Sequence, residues 1–547
     1  MAKKIVRSDH VKNYFGLQVN PVVFFASVFL IFSSITLVLI YQKTSESMFL
    51  VVQSFIAEKT GWFFILVINV FIVFLLVIAF GKFGQLRIGG ASATTEFSTL
   101  SWFAMLFSAG MGIGLLFWSV GEPITHFSNP PGIEGGTPEA AIKAMNLTFL
   151  HWGFHAWGVY ALVGLSLAYF TYSRGLPLTI RSVFYPLFGD RIYGWPGDLI
   201  DIFAVLATLF GLATSLGFGA QQMAAGVEHL WGIDSGHGTQ ILLIIGVTLV
   251  AMVSVILGVD KGVKVLSEWN MRIALVLLIL VVILGPTLFI FQAFVQNTGS
   301  YLFHFIETST WTESYLQSNW QNDWTIFYWG WWIAWSPFVG MFIARISKGR
   351  TVREFILGVL ILPSLVMFFW ITAFGSTGIH QVLLGDEGLV RAVDSNVATA
   401  LFVFLEQFPL AAVLNTVGIL LIAGFFITSS DSGSLVIDSL TSGGQLDVPV
   451  GQRIFWALTE GAVAAVLLLG GGLSALQAAT IATGLPFAII LLFICFSLYK
   501  ALKEDMDHLE KQRSLKEKES YEDLVGEIVR RRQSSGMGKT NESTDQS

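Results

Sequence analysis

This chain is divided into apolar blocks too long for a soluble fold. Pro21–Tyr41 and Gly61–Phe80 are two of them, each near the roughly 20 residues that carry a helix across a bilayer. The hydrocarbon layer holds no water, so a spanning backbone must satisfy its N–H and C=O groups internally, and for segments of this kind that means helices. Charged residues make up 12% of the chain, about half of the roughly 25% usual in soluble domains. These features predict an all-α integral membrane protein.

The length rule places about twelve transmembrane helices, near residues 21–41, 61–83, 98–127, 146–172, 197–230, 239–258, 269–296, 324–345, 353–376, 410–440, 452–472 and 476–499. Several exceed what a bilayer requires and so predict tilt or a break. Positive charge collects on the cytoplasmic side of membrane proteins. Starting from a cytoplasmic N-terminus, every second loop is basic: Lys82 and Arg87; Arg174, Arg181 and Arg191; Lys261 and Lys264; Arg345, Lys348, Arg350 and Arg353; then Arg453. The intervening loops carry Glu134, Glu139, Glu307, Glu313, Asp323, Asp386, Glu387 and Asp394. The alternation predicts an even number of spans with both termini cytoplasmic; the expected location is a bacterial-type inner (plasma) membrane.

The first apolar block is long and has no small-residue cleavage site, so it reads as a retained span and not a signal peptide. Cys495 is the single cysteine, which leaves no disulfide within the chain. In the outer loops, Tyr301–Ile306 and Val397–Phe408 are candidates for short surface helices. After about Lys500 the pattern is that of a charged amphipathic helix, and the polar stretch Gln533–Ser547 reads as disordered.

Two spans carry residues that a plain membrane helix would avoid. The third holds Ser108-Ala109-Gly110-Met111-Gly112-Ile113-Gly114, followed by Gly121-Glu122-Pro123. Each glycine costs about 1 kcal/mol of helix propensity relative to alanine. Spacing by two puts bare backbone on opposite sides of a helix, unlike the spacing by four of a helix-contact motif. The expectation is an unwound stretch, tolerable at membrane depth where it lines a cavity or binds an ion or substrate; close helix contact at a kink is the alternative. The tenth span holds Phe425-Phe426-Ile427-Thr428-Ser429-Ser430-Asp431-Ser432. Its hydroxyl and carbonyl oxygens are hard ligands suited to a small cation such as sodium. The same hydroxyls can instead bond their own helix, and Asp431 reads as a capping or hydrogen-bonding residue.

The eighth span holds Trp329-Gly330-Trp331-Trp332-Ile333-Ala334-Trp335-Ser336-Pro337-Phe338. Trp324 and Trp329, nearest the outer boundary, fit an interfacial aromatic belt. Trp331, Trp332 and Trp335 sit deeper and at helical spacing. Indole faces attract a quaternary ammonium, which has no proton to donate, by cation–π interaction worth about 2 kcal/mol or more when desolvated. Trp152, Trp157 and Tyr160 of the fourth span can complete such a box. No carboxylate is evident opposite these rings, which favours a zwitterion or weakly hydrated cation over a simple amine.

With these segments assembled, the sequence resembles the betaine/choline/carnitine transporter family. The likeness runs from about Asn20 to Lys500, carried by Gly110–Gly114 with Glu122-Pro123, His151-Trp152…Trp157…Tyr160, Trp329–Phe338 with Arg345–Arg350, and Thr428–Ser432. The resemblance implies two five-helix inverted repeats, spans 3–7 and 8–12. The chain then divides into an N-terminal segment (1–20), two peripheral helices (21–96), a first repeat (97–297), an extracellular loop (298–323), a second repeat (324–499) and a cytoplasmic tail (500–547).

The resemblance also implies a substrate site on Trp152, Trp157, Tyr160, Gly110, Met111, Gly112, Ile113, Gly114, Trp331, Trp332 and Trp335, with Phe338 and Phe342 towards the cytoplasm. A sodium ion, the implied coupling ion, would be held by the carbonyls of Ser108, Met111 and Phe425 and the hydroxyls of Thr428 and Ser429. A second sodium position would use Thr208 and Phe338, but Leu212 stands where that pattern has a second threonine. Gly114 stands where proton-coupled choline carriers of the family tend to have an aspartate, which favours glycine betaine over choline. A homotrimer is implied by the family alone. No other cofactor, and no nucleic acid partner, is expected.

Three alternatives stay open. A sodium-independent or proton-coupled carrier of choline or carnitine-like substrates would not need Thr428 and Ser429. A membrane-embedded enzyme would need His, Asp or Glu converging at one depth; His151 and His155 share a helix face but show no acidic partner in the sequence. A non-transporting osmosensor would not need an ion site.

Overall fold

The computed structural model describes residues 11–14, 16–257, 264–316, 318–445 and 447–537. Residues up to Ser497 form one unit and those from Leu498 a second. The principal helices are α1 (Pro21–Ile40), α2 (Gln42–Phe80), α3 (Thr99–Gly110), α4 (Ile113–Ser128), α5 (Pro138–Trp152), α6 (Phe154–Ala168), α7 (Trp195–Trp231), α8 (His237–Leu257), α9 (Lys264–Leu284), α10 (Thr287–Thr310), α11 (Thr325–Ile346), α12 (Val352–Ile371), α13 (Ala411–Thr441) and α14 (Val450–Met537). The strands Lys12–Tyr14 and Leu17–Val19 pair antiparallel ahead of α1. Among the described residues, ten helices are long and apolar enough to cross a membrane, or eleven with the bent pair α3 and α4 as one span. Within α14 the backbone leaves helical geometry at Gly471 and Gly472. That is where the sequence separates the eleventh span from the twelfth, so the all-α multi-pass architecture is observed.

Boundaries differ where single residues override hydropathy. The seventh span, expected over 269–296, breaks at Gly285-Pro286, because proline has no N–H and its ring clashes with the carbonyl one turn back. Tyr301–Ile306 therefore belongs to the separate helix α10 and is no isolated surface helix. The second span starts at Gln42, directly after α1, with the Ser45 hydroxyl bonding the Val38 and Tyr41 carbonyls. The Val397–Phe408 segment is a short 3-10 turn, Val397–Thr399, and a helix, Ala400–Glu406, whose Leu401, Phe402, Phe404 and Leu405 are buried. The tail is helical to Met537, with ion pairs Lys518–Glu522 and Arg531–Glu527 one turn apart. Residues 538–547, Lys261 and the first ten residues lie outside the described residues.

Helix α11 lies against other helices at glycines on several sides. A Cβ on its Gly340 would sit 2.5 Å from Val163 Cγ1 and 3.1 Å from the Gly164 nitrogen of α6. One on Gly211 of α7 would sit 3.2 Å from the backbone of Ala334 and Trp335, and one on Gly484 of α14 would lie 2.7 Å from the Gly330 carbonyl oxygen. Small residues let backbones approach and gain dispersion where no hydrophobic effect drives helices together.

The segment after α11 anchors the start of α3. Gly349, at φ 82°, has the Thr94 carbonyl where a Cβ would go, so only glycine fits. Its N–H donates to the Ile88 carbonyl and its own carbonyl accepts from Arg87 at 2.6 Å. Arg350 donates to the Phe97 carbonyl and to Thr99 Oγ1 at 2.9 Å each, and lies over the Trp102 ring. Trp102 Nε1 donates to Ser347 Oγ at 3.0 Å. On α7, Asp201 and Asp198 accept from Arg181 at 2.5 and 2.8 Å, and Asp198 also accepts from Asn20, the cap of α1.

Substituting Gly340→Leu is expected to force α6 away from α11. The penalty for overpacking is about 1–3 kcal/mol, read as a lower Tm in detergent, whereas Gly246→Leu, where nothing lies within 4 Å of the added carbon, leaves Tm unchanged.

Candidate functional site

The bend between α3 and α4 is 64°. Met111 (φ −83°, ψ 128°) and Gly112 (φ −170°, ψ −179°) are extended between the helices, as the alternating glycines predicted. The break exposes carbonyls at the end of α3 and N–H groups at the start of α4. A helix C-terminus carries partial negative charge and an N-terminus partial positive charge. One short stretch of backbone therefore offers a cation oxygens and an anion N–H groups.

The break opens onto a cavity of about 890 Å³. Every expected substrate-site residue lines it: Gly110, Met111, Gly112, Ile113, Gly114, Trp152, Trp157, Tyr160, Trp331, Trp332, Trp335, Phe338 and Phe342. Ser108, Phe425, Thr428 and Ser429 line the same cavity. Thr208 does not. Its hydroxyl bonds the Ala204 carbonyl at 2.7 Å, and Leu212 packs where a Cβ on Gly433 would lie, 2.2 Å away. Glu96, Tyr172, Arg345 and Gln445 also line the cavity.

The rings form a box and not a parallel stack. Trp331 and Trp332 lie face to face (4.7 Å, 14°), Trp152 stands edge-on to Trp332 (5.0 Å, 70°), and Tyr160 stands edge-on to Trp157 (5.5 Å, 83°). The glycines bring the broken helix against these rings. A Cβ on Gly114 would lie 2.5 Å from Trp331 and 3.4 Å from Trp152, and one on Gly110 would lie 2.7 Å from Trp157. At Gly112 the same position is open space. Gly114 thus leaves no room for a larger side chain without moving Trp331.

The box rests on a carboxylate whose role sequence reasoning missed. Glu122, fully buried on α4, meets His151 Nδ1 at 2.6 Å and His126 Nε2 at 3.2 Å through Oε1. Through Oε2 it accepts from Trp152 Nε1 at 2.8 Å and Tyr328 Oη at 2.5 Å. His151 Nε2 meets Thr325 Oγ1 at 3.0 Å, and the His151 carbonyl accepts from Trp332 Nε1 at 2.7 Å. The expectation that His151 has no acidic partner is therefore wrong, while Glu122 meets the rings at the Trp152 N–H and does not line the cavity. The available signal was Glu122 and His126 one turn apart, but their partners come from α5 and α11. Glu122, His126 and His151 place potential ligand atoms within 4.8 Å of one another, and their two closest separations are hydrogen-bond distances. What the arrangement does is orient Trp152 directly and Trp332 through His151.

Trp324 and Trp329 do not form a lipid-facing belt. Trp329 is buried and stacks on His155 (5.3 Å, 21°), and Trp324 meets His126 edge-on (4.5 Å). On α13, Thr428 Oγ1 bonds the Gly424 and Phe425 carbonyls at 3.1 and 3.3 Å, so the self-bonding reading is observed for a hydroxyl that also lines the cavity. Asp431 is no cap. It lies well inside α13, with the Ser254 hydroxyl of α8 beside its buried carboxyl.

Residues 22–507 match the BCCT family, described as betaine/carnitine/choline family transporters. The chain is 46% identical over 521 residues to a glycine betaine transporter of Vibrio parahaemolyticus, covering 91% of this chain and 97% of that protein. It is 45% identical over 518 residues to a glycine betaine/proline/choline/ectoine transporter of the same organism (92% and 90%). It is 44% identical over 494 residues to a glycine betaine transporter of Acinetobacter baylyi (90% and 75%).

Changing Glu122→Ala would strand buried donors, at about 1–3 kcal/mol for each left unpaired. The expected result is a lower Tm in detergent together with a shift in tryptophan emission as Trp152 loses its anchor; an unchanged spectrum would show that the carboxylate does not hold the box.

Proposed function

Because the chain belongs to the betaine/carnitine/choline transporter family, and is a multi-pass membrane transporter and not an enzyme, we propose that it imports glycine betaine together with sodium by alternating access. The observation that carries this reading is the aromatic box set against the broken helix. Trp331 and Trp152 touch the backbone at Gly114, beside the first N–H groups of α4. A trimethylammonium group in the box is held by ring faces, and a carboxylate one methylene away can reach those N–H groups. Choline presents a hydroxyl there and leaves the positive end of α4 without an anion. Proline, choline and ectoine, which appear with glycine betaine in one relative's name, are the competing substrates.

Sodium would be a co-transported substrate held where α3 ends, by the carbonyls of Ser108, Met111 and Phe425 and the hydroxyls of Thr428 and Ser429. The donors fit a hard cation: all are oxygens, from two helices, on one cavity. The geometry at Thr208 and Leu212 supports one such position and not two.

In this reading the part of the cavity bearing Arg345 faces the cytoplasm, both termini lie inside and the protein sits in the plasma membrane, which the charge alternation of the loops supports. In that reading the substrate cavity opens towards the inside and the Glu122 network lies on the outer side of the box. Inverted repeats over 97–297 and 324–499 would account for α3 and α11, the first helix of each, meeting at the substrate. Assembly would be as a homotrimer.

Uptake of labelled glycine betaine into proteoliposomes is expected to require an inward sodium gradient, and transport unchanged when potassium replaces sodium overturns the coupling. Trp332→Leu should weaken betaine binding by about 2 kcal/mol, some thirtyfold. Thr428→Ala with Ser429→Ala should raise the sodium concentration needed for half-maximal uptake, with a smaller effect on betaine affinity at saturating sodium.

A further inference from the structure

The first turn of α4 is held from a side that the cavity does not reach. Gln222 of α7 is fully buried, and its Nε2 donates to the Leu116 carbonyl at 2.9 Å. Its Oε1 has no hydrogen-bond partner among the described residues, so Leu116 is the one group this amide binds there. Gly112, Ile113, Gly114 and Leu115 line the substrate cavity, and neither Leu116 nor Gln222 does. One turn back on α7, a Cβ on Gly219 would lie 3.1 Å from Ile113 Cδ1, and the Phe218 ring stacks on Phe117 (4.9 Å, 25°).

Along the chain, that turn starts abruptly. Met111 and Gly112 are extended, so no helix leads into α4, and no side chain caps its start. The N–H of Leu116 reaches the Gly112 carbonyl at a long 3.4 Å. The first N–H groups of any helix lack partners within it, and here they are the groups that would receive a substrate carboxylate. A hydrogen bond is directional and weakens steeply as the N–H turns away from its acceptor. A buried amide fixed to a carbonyl of the same turn therefore sets where those N–H groups point. The rings that hold an ammonium are placed by other groups, Trp152 by Glu122 and Trp332 by the His151 carbonyl.

We propose that Gln222 is a positioning residue for the anionic end of the substrate, aiming the N–H groups of Ile113, Gly114 and Leu115 without touching the substrate itself. The inference rests on the reading that α4 receives the carboxylate of glycine betaine, and it names a residue outside the cavity as a determinant of that choice. Gln222 contributes to the binding of a zwitterion and adds nothing for choline, whose hydroxyl brings no charge to the start of the helix.

Binding to the purified protein in lipid, at saturating sodium, tests this with glycine betaine and choline as probes. Gln222→Met keeps the length of the side chain and removes the donor. It is expected to weaken betaine binding roughly tenfold, the loss typical of a hydrogen bond to a charged group, and to leave choline within about twofold. Glu122→Gln, acting on the ring wall, should weaken both ligands together. Hydrogen–deuterium exchange without any substrate supplies a second measurement. In Gln222→Met the N–H groups of residues 113–116 should exchange faster, while those of 124–127 keep their wild-type rate. Gly219→Ala presses on Ile113 instead of breaking the bond; it should lower the preference for betaine in the same direction, and it serves if Gln222→Met does not fold. An unchanged betaine-to-choline ratio in a folded variant, an equal loss for both ligands, or unchanged exchange at 113–116 overturns the positioning role. A wild type that binds choline as well as betaine overturns the substrate reading instead, and the exchange experiment still decides whether Gln222 holds the turn.

Discussion

Backbone polar groups left without partners in a bilayer must find something to bind, and the structure turns on one place where the chain leaves them so. Between Gly110 and Ile113 two extended residues interrupt the third span. An intact helix there would bury every N–H and C=O within itself. The interruption instead turns carbonyls of α3 and N–H groups of α4 towards a cavity, with opposite partial charges on opposite sides of the break. A zwitterion and a small cation are complementary to that arrangement, and an ordinary membrane helix offers neither of them anything.

The break works only if the surrounding helices hold it still. The Arg345–Arg350 segment fixes the approach to α3 through Arg350, Gly349 and Ser347. Glu122 fixes the aromatic wall against α4, drawing on α5 and α11 for its partners. A charge this deep is tolerable because several donors converge on it, and the convergence also dictates where Trp152 points. Charge-assisted hydrogen bonds are roughly twice as strong as neutral ones, so an acid at this position is a rigid fixture of the box. Helix α11, approached through glycines from α6, α7 and α14, brings its tryptophans to the same point.

Much of this was legible in the residues. Alternating glycines announced the break, because helix propensity and helix contact both argue against that spacing. Tryptophans at helical spacing, beyond the reach of an interfacial belt, announced the box. Hydroxyls near Thr428 marked a polar face on an apolar helix. What stayed hidden were contacts between distant segments: Glu122 with His151, Tyr328 and Trp152; Trp329 with His155; Ser430 with Glu460. Hydropathy is an average over a window, so it also passed over Gly285-Pro286, where one residue ends a helix.

The sequence by itself determined the membrane class, the approximate spans, the unwound third helix and the residues of the aromatic box, because each follows from local composition or from spacing along one helix. Only the tertiary structure decided which charges are compensated and by what. A buried carboxylate is stabilised by groups that arrive from other helices, and nothing near Glu122 in the chain, apart from His126, names them. The same holds for Glu460, whose bond from Ser430 exists only once α13 and α14 are side by side.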